Sequence, residues 1–240
     1  MLILGIDTSG KSGGVTLAEG ADDDFRVLGS SPIAGGTFSA QLVPTVAGIL
    51  EQNKRSIRQI DGFAIVSGPG SFTGLRVGLS AVKGLAEILR KPIVTISLLQ
   101  AMAAGLKWAG KGAVTHPVCR VFLDASRGEV FLGEYECLHA VAPRMISESL
   151  VAVSELAEQV QTWGHSATLA TPDAAVVEKL RLLVSDPALV SVSIVERPNS
   201  VDIARLGVRK LLAGETVAVE ALDANYLRRS DAELFFKGNR

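Results

Sequence analysis

The chain has 240 residues, of which 48% are hydrophobic and 20% are charged, and its formal net charge is −1. This composition excludes a disordered protein, and the length predicts two units of ordinary size. Because the net charge is close to zero, nothing attracts nucleic acid overall, so any RNA binding would need positive charge from another subunit.

The sequence carries no membrane or secretion signal. No apolar run approaches the roughly 18 residues that span a membrane, and the uncharged start at Met1 is too short for a signal peptide. We therefore predict a cytoplasmic protein that makes no membrane contact. Cys119 and Cys137 are the two cysteines, and without a secretion signal they are predicted to be reduced thiols in strands.

The first half of the chain alternates short apolar runs with helical periodicity. Its predicted elements are strands at 1–6, 15–19 and 25–28, a helix at 39–54, a strand at 63–66, a helix from Ser71 or Thr73 to about Arg90, a strand at 93–96 and a helix at 98–108. Such an order is typical of an α/β unit.

The second half repeats this pattern in shortened form. Residues 118–134 echo residues 2–19, since each reads as a strand, an Asp-x-Ser turn, a glycine and a second strand. The repeat places Asp7 and Asp124 at equivalent hairpins. Further strands are predicted at 144–147, 168–170 and 192–195, with helices at 151–163, 173–184 and 200–214 and a short strand starting at Leu222. We therefore predict lobes at 1–109 and 110–240, with the last helix as a candidate to return to the first lobe.

The two long helices of the first half have more apolar surface than a single core requires. In the second of them the apolar arc spans roughly 220°, against about 100° for an ordinary surface helix. Either the helix is buried in its own lobe, or one stripe contacts a partner. In this helix one stripe is Leu75, Leu79, Val82, Ala86 and Leu89, and the other is Val77, Ala81, Leu85 and Ile88. In the preceding helix one stripe is Leu42, Val46 and Ile49, and the other is Val43, Ala47 and Leu50.

Four residues are candidates for binding a nucleotide or another anion. Asp7 and Ser9 follow the first strand, and Gly70 and Ser71 precede a helix whose N-terminus would favour an anion. A structural interpretation stands beside this one, in which the carboxylates of Asp7 and Asp124 bind the amides of their own turns and Gly70-Ser71 forms a turn with a cap.

Other catalytic patterns find less support in the sequence. Residues 5–12 match the Walker A spacing, but Gly13-Gly14 and a strand follow Lys11 where that motif requires a helix. His116, His139 and His165 have no metal-ligand spacing, so no metal site is predicted. The spacing of nucleophiles and bases indicates no catalytic set.

With these motifs in place, the chain resembles the TsaB (YeaZ) family, a degenerate paralogue of TsaD. The matching pieces run in order over nearly the whole chain: ILGIDTS at 3–9, GPGSFTGLRVG at 68–78, DASRGEVF at 124–131 and YLR at 226–228. The resemblance implies the duplicated, two-lobed fold of the actin-like ATPases (ASKHA, ribonuclease H-like), with a reduced second lobe.

The resemblance also implies a role in tRNA modification. TsaB-like proteins are non-catalytic partners of TsaD, which transfers a threonylcarbamoyl group to the tRNA adenosine next to the anticodon, with TsaE as an accessory ATPase. It implies a heterodimer with TsaD, a homodimer when alone, tRNA contact mainly through the complex, and no required cofactor, with nucleotide expected only at the TsaD interface. The metal-binding His-x-x-x-His of TsaD corresponds here to Leu98 and Met102.

In that family the first two helices contact the partner, so one apolar stripe of each is expected to face outward. Sequence does not distinguish the stripes, and we select Leu42, Val46, Ile49, Leu75, Leu79 and Val82 as the predicted partner-binding residues. The alternatives are an ATP-dependent phosphotransferase that uses Asp7 and Asp124, and a P-loop NTPase that uses Lys11.

Overall fold

The computed structural model describes residues 1–21, 24–108, 117–137, 142–163 and 168–228. The chain forms two compact units. The first comprises Met1–Ala101 and Pro198–Asn225, and the second comprises Met102–Arg197 and the segment that begins at Tyr226. The border between these units follows Ala101, inside the helix predicted at 98–108, whereas the sequence predicted lobes at 1–109 and 110–240.

The first unit is built on a five-stranded mixed sheet. Its central strand is buried along its full length and pairs with an antiparallel strand on one side and a parallel strand on the other. Such a strand needs apolar residues on both faces, as the run that starts the chain provides. The strands are β1 (Leu2–Asp7), β2 (Ser12–Ala21), β3 (Asp24–Ala34), β4 (Gly62–Gly68) and β5 (Ile93–Ser97), in the order β3-β2-β1-β4-β5.

Three helices follow strands of the first unit: α1 (Phe38–Gln52), α2 (Phe72–Leu89) and α3 (Leu98–Trp108). Of the two predicted caps of α2, Ser71 is confirmed, since its Oγ accepts from the backbone N–H of Gly74 at 3.3 Å. The helix ends at Arg90, whose φ of 53° is left-handed. The Gly68–Pro69 peptide bond before α2 is cis.

The second unit repeats the plan with smaller elements. Its strands are β6 (Val118–Ser126), β7 (Glu129–Glu136), β8 (Arg144–Ala152), β9 (Thr168–Thr171) and β10 (Val192–Ile194), and its helices are α4 (Val153–Trp163) and α5 (Ala174–Leu183). The order β8-β7-β6-β9-β10 has the same antiparallel and parallel pairings as the first sheet. The predicted internal duplication is confirmed.

The last described helix, α6 (Ser200–Leu212), belongs to the first unit and packs on β1, β2 and β4. Close approach depends on two glycines. A Cβ on Gly5 would lie 2.6 Å from the Cβ of Ala204, and a Cβ on Gly207 would collide with Ala64. Asn199 caps α6, whereas the sequence predicted Ser200 as the cap.

Two local predictions of secondary structure need correction. Strand β3 is far longer than the predicted 25–28, because it follows β2 across a bulge. No strand starts at Leu222; between residues 213 and 228, all described, Val217 forms a single bridge with Ile93.

The prediction of reduced cysteines is also wrong, because the structure joins Cys119 and Cys137 in a disulfide. Cys119 lies opposite Tyr135 in the β6–β7 ladder, so Cys137 is its diagonal neighbour on the same face, with the two Cα atoms 6.2 Å apart. Both side chains are buried.

Candidate functional site

The loop after β1 is buried, and its residue Ser9 donates hydrogen bonds to the carboxylate of Asp7. Oδ1 of Asp7 accepts from the backbone N–H of Ser9 at 2.8 Å and from the Ser9 hydroxyl at 2.6 Å. All of Asp7, Thr8 and Ser9 are at most 2% exposed. The structure thus shows the contact expected from the interpretation in which Asp7 binds the amide of its own turn.

Helix α2 starts directly against this loop. The backbone N–H of Ser71 donates to the carbonyl oxygen of Ser9 at 2.7 Å. A Cβ on Gly70 would collide with that same carbonyl oxygen, and one on Gly74 or Gly78 would collide with Thr8. The predicted anion-binding residues Asp7, Ser9, Gly70 and Ser71 are therefore brought together, and these contacts join them to one another.

Thr8 was not predicted as a site residue, although it lies at the centre of this contact. It is fully buried, and within the described part of the chain its hydroxyl has no hydrogen-bond partner. The glycine spacing at 70, 74 and 78 was the sequence signal that could have identified it. One face of α2 carries no side chains there, so backbone must approach it closely.

The equivalent hairpin of the second unit is built differently. Asp124 is exposed; its Oδ1 accepts from the Ser126 N–H at 2.9 Å, while its own N–H donates to Asp173 Oδ2 at 2.7 Å. Arg228 donates to the Ser126 carbonyl oxygen at 3.4 Å and to the Glu129 carboxylate. The motif pieces at 124–131 and 226–228 therefore contact each other, and Asp173 and Arg228 are partners that sequence reasoning missed.

The P-loop alternative fails on secondary structure. β2 begins at Ser12, so a strand follows Lys11 where the mechanism needs a helix N-terminus. Leu98 and Met102 lie one turn apart on α3, directly after β5, and both are buried. Neither side chain supplies a nitrogen or oxygen ligand.

The three histidines, His116, His139 and His165, lie outside the described residues, so the structure does not bear on their lack of metal-ligand spacing. Within the described ranges no three His, Cys, Asp or Glu side chains are grouped so that they could hold a metal ion. No described helix is both long enough and apolar enough to cross a bilayer.

The choice of partner stripe requires a correction. The six predicted partner-binding residues are all at most 6% exposed in the single chain: Leu42, Val46, Ile49, Leu75, Leu79 and Val82. These side chains are buried in the first unit, so they are not the apolar residues that the two helices present to solvent. Partner binding by these helices stays a prediction, whereas the outward-facing residues are different ones.

The outward apolar residues come from the other stripe of each helix. Val43 is 60% exposed and Ile88 is 82% exposed, and smaller apolar residues lie on the same faces. A Cβ on Gly48 or Gly84 would meet no atom of the described residues within 4 Å, so both helices also leave room beside their backbone. We define the α1–α2 surface as Ala40, Val43, Ala47, Val77, Ala81, Leu85 and Ile88, each exposed or partly exposed.

A polar cavity of about 670 Å³ lies near Met1 and Asp61, at the end of the β1 strand away from Asp7. On its wall Glu19 binds Arg26 at 2.5 Å and Arg55 at 2.6 Å. The hydrogen bond from Arg26 is the main cause that holds the pKa of Glu19 below its usual value. The cavity contains none of the predicted site residues.

Comparison with known proteins now gives the family. Residues 32–183 match the family described as TsaD, tRNA N6-adenosine threonylcarbamoyltransferase. Over 97% of the chain and 96% of the relative, the sequence is 28% identical to the tRNA threonylcarbamoyladenosine biosynthesis protein TsaB of Escherichia coli. The chain belongs to the TsaB (YeaZ) branch of this family.

Two further relatives agree with this assignment. TsaB of Bacillus subtilis is 24% identical over 97% of the chain and 96% of its own length. The structure of YeaZ from Pseudomonas aeruginosa superposes with a TM-score of 0.71 over 93% of this chain and 100% of that chain, at 24% identity. This superposition on a TsaB-family structure confirms the predicted two-part α/β fold.

Proposed function

We propose that this protein is a non-catalytic subunit that binds a TsaD-like transferase and supports its transfer of threonylcarbamoyl to the tRNA adenosine next to the anticodon. The α1–α2 surface is the observation that carries this proposal. It places two large apolar side chains, Val43 and Ile88, in solvent among small residues, and an apolar patch on one face favours a protein partner.

Two observations support a role without chemistry. The Asp7 carboxylate accepts from the amide and hydroxyl of Ser9, inside a loop against which α2 begins. At the positions that correspond to the metal-binding histidines of the transferase, Leu98 and Met102 are buried hydrocarbon and thioether side chains. A phosphotransferase would need the Asp7 carboxylate to face a metal or a phosphate, so we favour the subunit role.

The remaining partners follow from the same proposal. A TsaE-like ATPase would join the complex, tRNA would bind mainly through the transferase, and the chain would pair with a second copy of itself when the transferase is absent. The formal net charge of −1 supports the view that another subunit supplies most of the attraction to tRNA.

Size-exclusion chromatography with light scattering tests this proposal on wild type and Ile88→Glu, each alone and mixed with the transferase from the same organism. A glutamate desolvated at a helix–helix contact should weaken association at least 100-fold, about 3 kcal/mol. Because Ile88 is exposed in the single chain, the variant should stay folded.

Leu182→Glu is the matched control, since Leu182 is an 86% exposed leucine on α5 in the second unit. We expect it to associate like wild type. Equal association of wild type and Ile88→Glu would contradict the proposed surface, and the absence of any complex with the transferase would contradict the proposed function.

A further inference from the structure

The β1–β2 loop forms the support on which α2 rests, on the side of the helix away from solvent. Three contacts join them: the 2.7 Å hydrogen bond from Ser71 N–H to the Ser9 carbonyl oxygen, the close approach of Gly74 to the Thr8 carbonyl oxygen, and that of Gly78 to the Thr8 hydroxyl. Since Gly78 and Val77 are adjacent on α2, any shift at Gly78 also moves the α1–α2 surface.

Two features of this contact are unfavourable when taken separately. Glycine inside a helix is less stable than alanine, yet Gly74 and Gly78 both lie within α2. A buried hydroxyl without a partner also costs stability, yet the Thr8 hydroxyl is buried and unpaired among the described residues. The absence of side chains at Gly74 and Gly78 allows the helix axis to lie nearer to the loop than ordinary side chains would permit, and the buried hydroxyl of Thr8 lies in that close contact.

We propose that Thr8 and Gly78 set the depth and rotation of α2, and that Thr8 is thereby a positioning residue for partner binding, although it never reaches the partner. This inference rests on the proposed function. Interface contacts between helices depend on placement to within fractions of an ångström, so an outward push on α2 misaligns Val77, Ala81 and Ile88 together.

The test is a double-mutant cycle between Gly78→Ala and Thr8→Ala, read as the dissociation constant for the TsaD-like transferase. Gly78→Ala adds a Cβ that collides with the Thr8 hydroxyl, and we expect at least 30-fold weaker binding. Thr8→Ala removes that hydroxyl, and we expect a loss of about threefold when it is made alone.

The double variant distinguishes positioning from a general loss of structure. The methyl group added at position 78 then lies where the Thr8 hydroxyl was. Its remaining close neighbours are the Cδ1 of Ile65 at 3.1 Å and the Cβ of residue 8 at 3.3 Å, which need to move only slightly, so binding should return to within about threefold of wild type. Hydrogen exchange of the α2 amides in the free chain should show the helix intact in all three variants. A double variant that binds as weakly as Gly78→Ala, or a folded Gly78→Ala that binds like wild type, would overturn the inference.

Ile88→Glu, measured in the same series, separates this inference from the proposed function. If Ile88→Glu abolishes binding while Gly78→Ala does not affect it, the surface stands and the positioning role fails. If Gly78→Ala does not fold, Thr8→Val makes a milder push by placing a methyl group at the hydroxyl position. We then expect three- to tenfold weaker binding, and unchanged binding would count against the inference.

Discussion

Helices α1 and α4 occupy equivalent places in the two units, each following the third strand of its sheet, yet their outer faces differ. The exposed residues of α1 include Ala40, Val43 and Ala47, whereas α4 exposes Glu155, Glu158 and Thr162. Both helices bury an apolar stripe against their own sheet. Because the duplicated fold needs only that buried stripe, as α4 shows, the fold does not explain the apolar outer face of α1.

The hairpins after β1 and β6 show a second difference between the units. In the first unit the loop is buried against the backbone of a glycine-lined helix; in the second, exposed Asp124 is held through the carboxylate of Asp173. Close backbone packing fixes a helix more tightly than one side-chain hydrogen bond does. The unit whose first helix has an apolar outer face is thus also the one whose second helix begins in close backbone contact with a buried loop.

The largest expected loss of stability distinguishes the buried stripe of α2 from its exposed stripe. Leu79→Glu would bury a carboxylate in the first unit, and we expect it to lower the free energy of unfolding by more than about 4 kcal/mol. Ile88→Glu should change it by less than about 1 kcal/mol, because the side chain already lies in solvent. Urea unfolding followed by circular dichroism measures both, and equal losses would refute the assignment of stripes.

Removal of the buried carboxylate of Asp7 should also cost more stability than removal of the exposed carboxylate of Asp124. Asp7→Ala removes the carboxylate oxygen that accepts from the buried Ser9 N–H and hydroxyl, which should cost about 3 kcal/mol. Asp124→Ala removes one exposed hydrogen bond and should cost about 1 kcal/mol. Thermal denaturation of the pair checks the difference; a larger loss for Asp124→Ala would show that burial is not what distinguishes them.

Gly84→Ala probes the open side of α2. The added methyl group meets no atom of the part of the chain that the structure describes, so helix propensity should raise the free energy of unfolding by about 0.5–1 kcal/mol. Differential scanning calorimetry should show a higher melting temperature than for wild type. A lower melting temperature would mean that the chain itself already covers this face.

The smallest expected effect concerns Glu19 in the cavity wall. Its pKa is lowered in the folded protein, chiefly by the hydrogen bond from Arg26, so its stabilising contribution is complete above the usual carboxyl pKa. That contribution is lost as the pH falls through the lowered pKa. Glu19→Gln should therefore flatten the acid limb of the stability curve slightly, and added salt should reduce the difference. Identical acid limbs would contradict this.

Sequence periodicity predicted the order and type of most elements because each strand and helix buries a regular apolar pattern, and the Asp7–Asp124 repeat exposed the duplication. It could not choose between the stripes of α2. Leu79 and Ile88 are equally apolar, and only the position of the sheet decides which of them is buried. The glycine spacing of α2 indicated that backbone would approach this helix, but it did not single out Thr8, because the contact with Gly78 joins residues 70 positions apart.

The disulfide and the ends of β3 show a second kind of feature that the sequence alone could not predict, because both depend on how strands pair. The pairing of Cys119 with Cys137 depends on the register of β6 against β7, which a one-residue slip would change. Strand β3 continues to Ala34 because β2 offers a partner along its whole length, although Gly29 and Pro32 argue against a strand when they are considered alone.

The return of α6 to the first sheet has a consequence for synthesis on the ribosome. The first unit lacks the helix that covers β1, β2 and β4 until residues 198–225 have been translated, whereas most of the second unit is contiguous and is made in between. At ordinary translation rates that interval is on the order of 10 s. The nascent chain must therefore carry one uncovered face of its first sheet through the whole synthesis of the second unit.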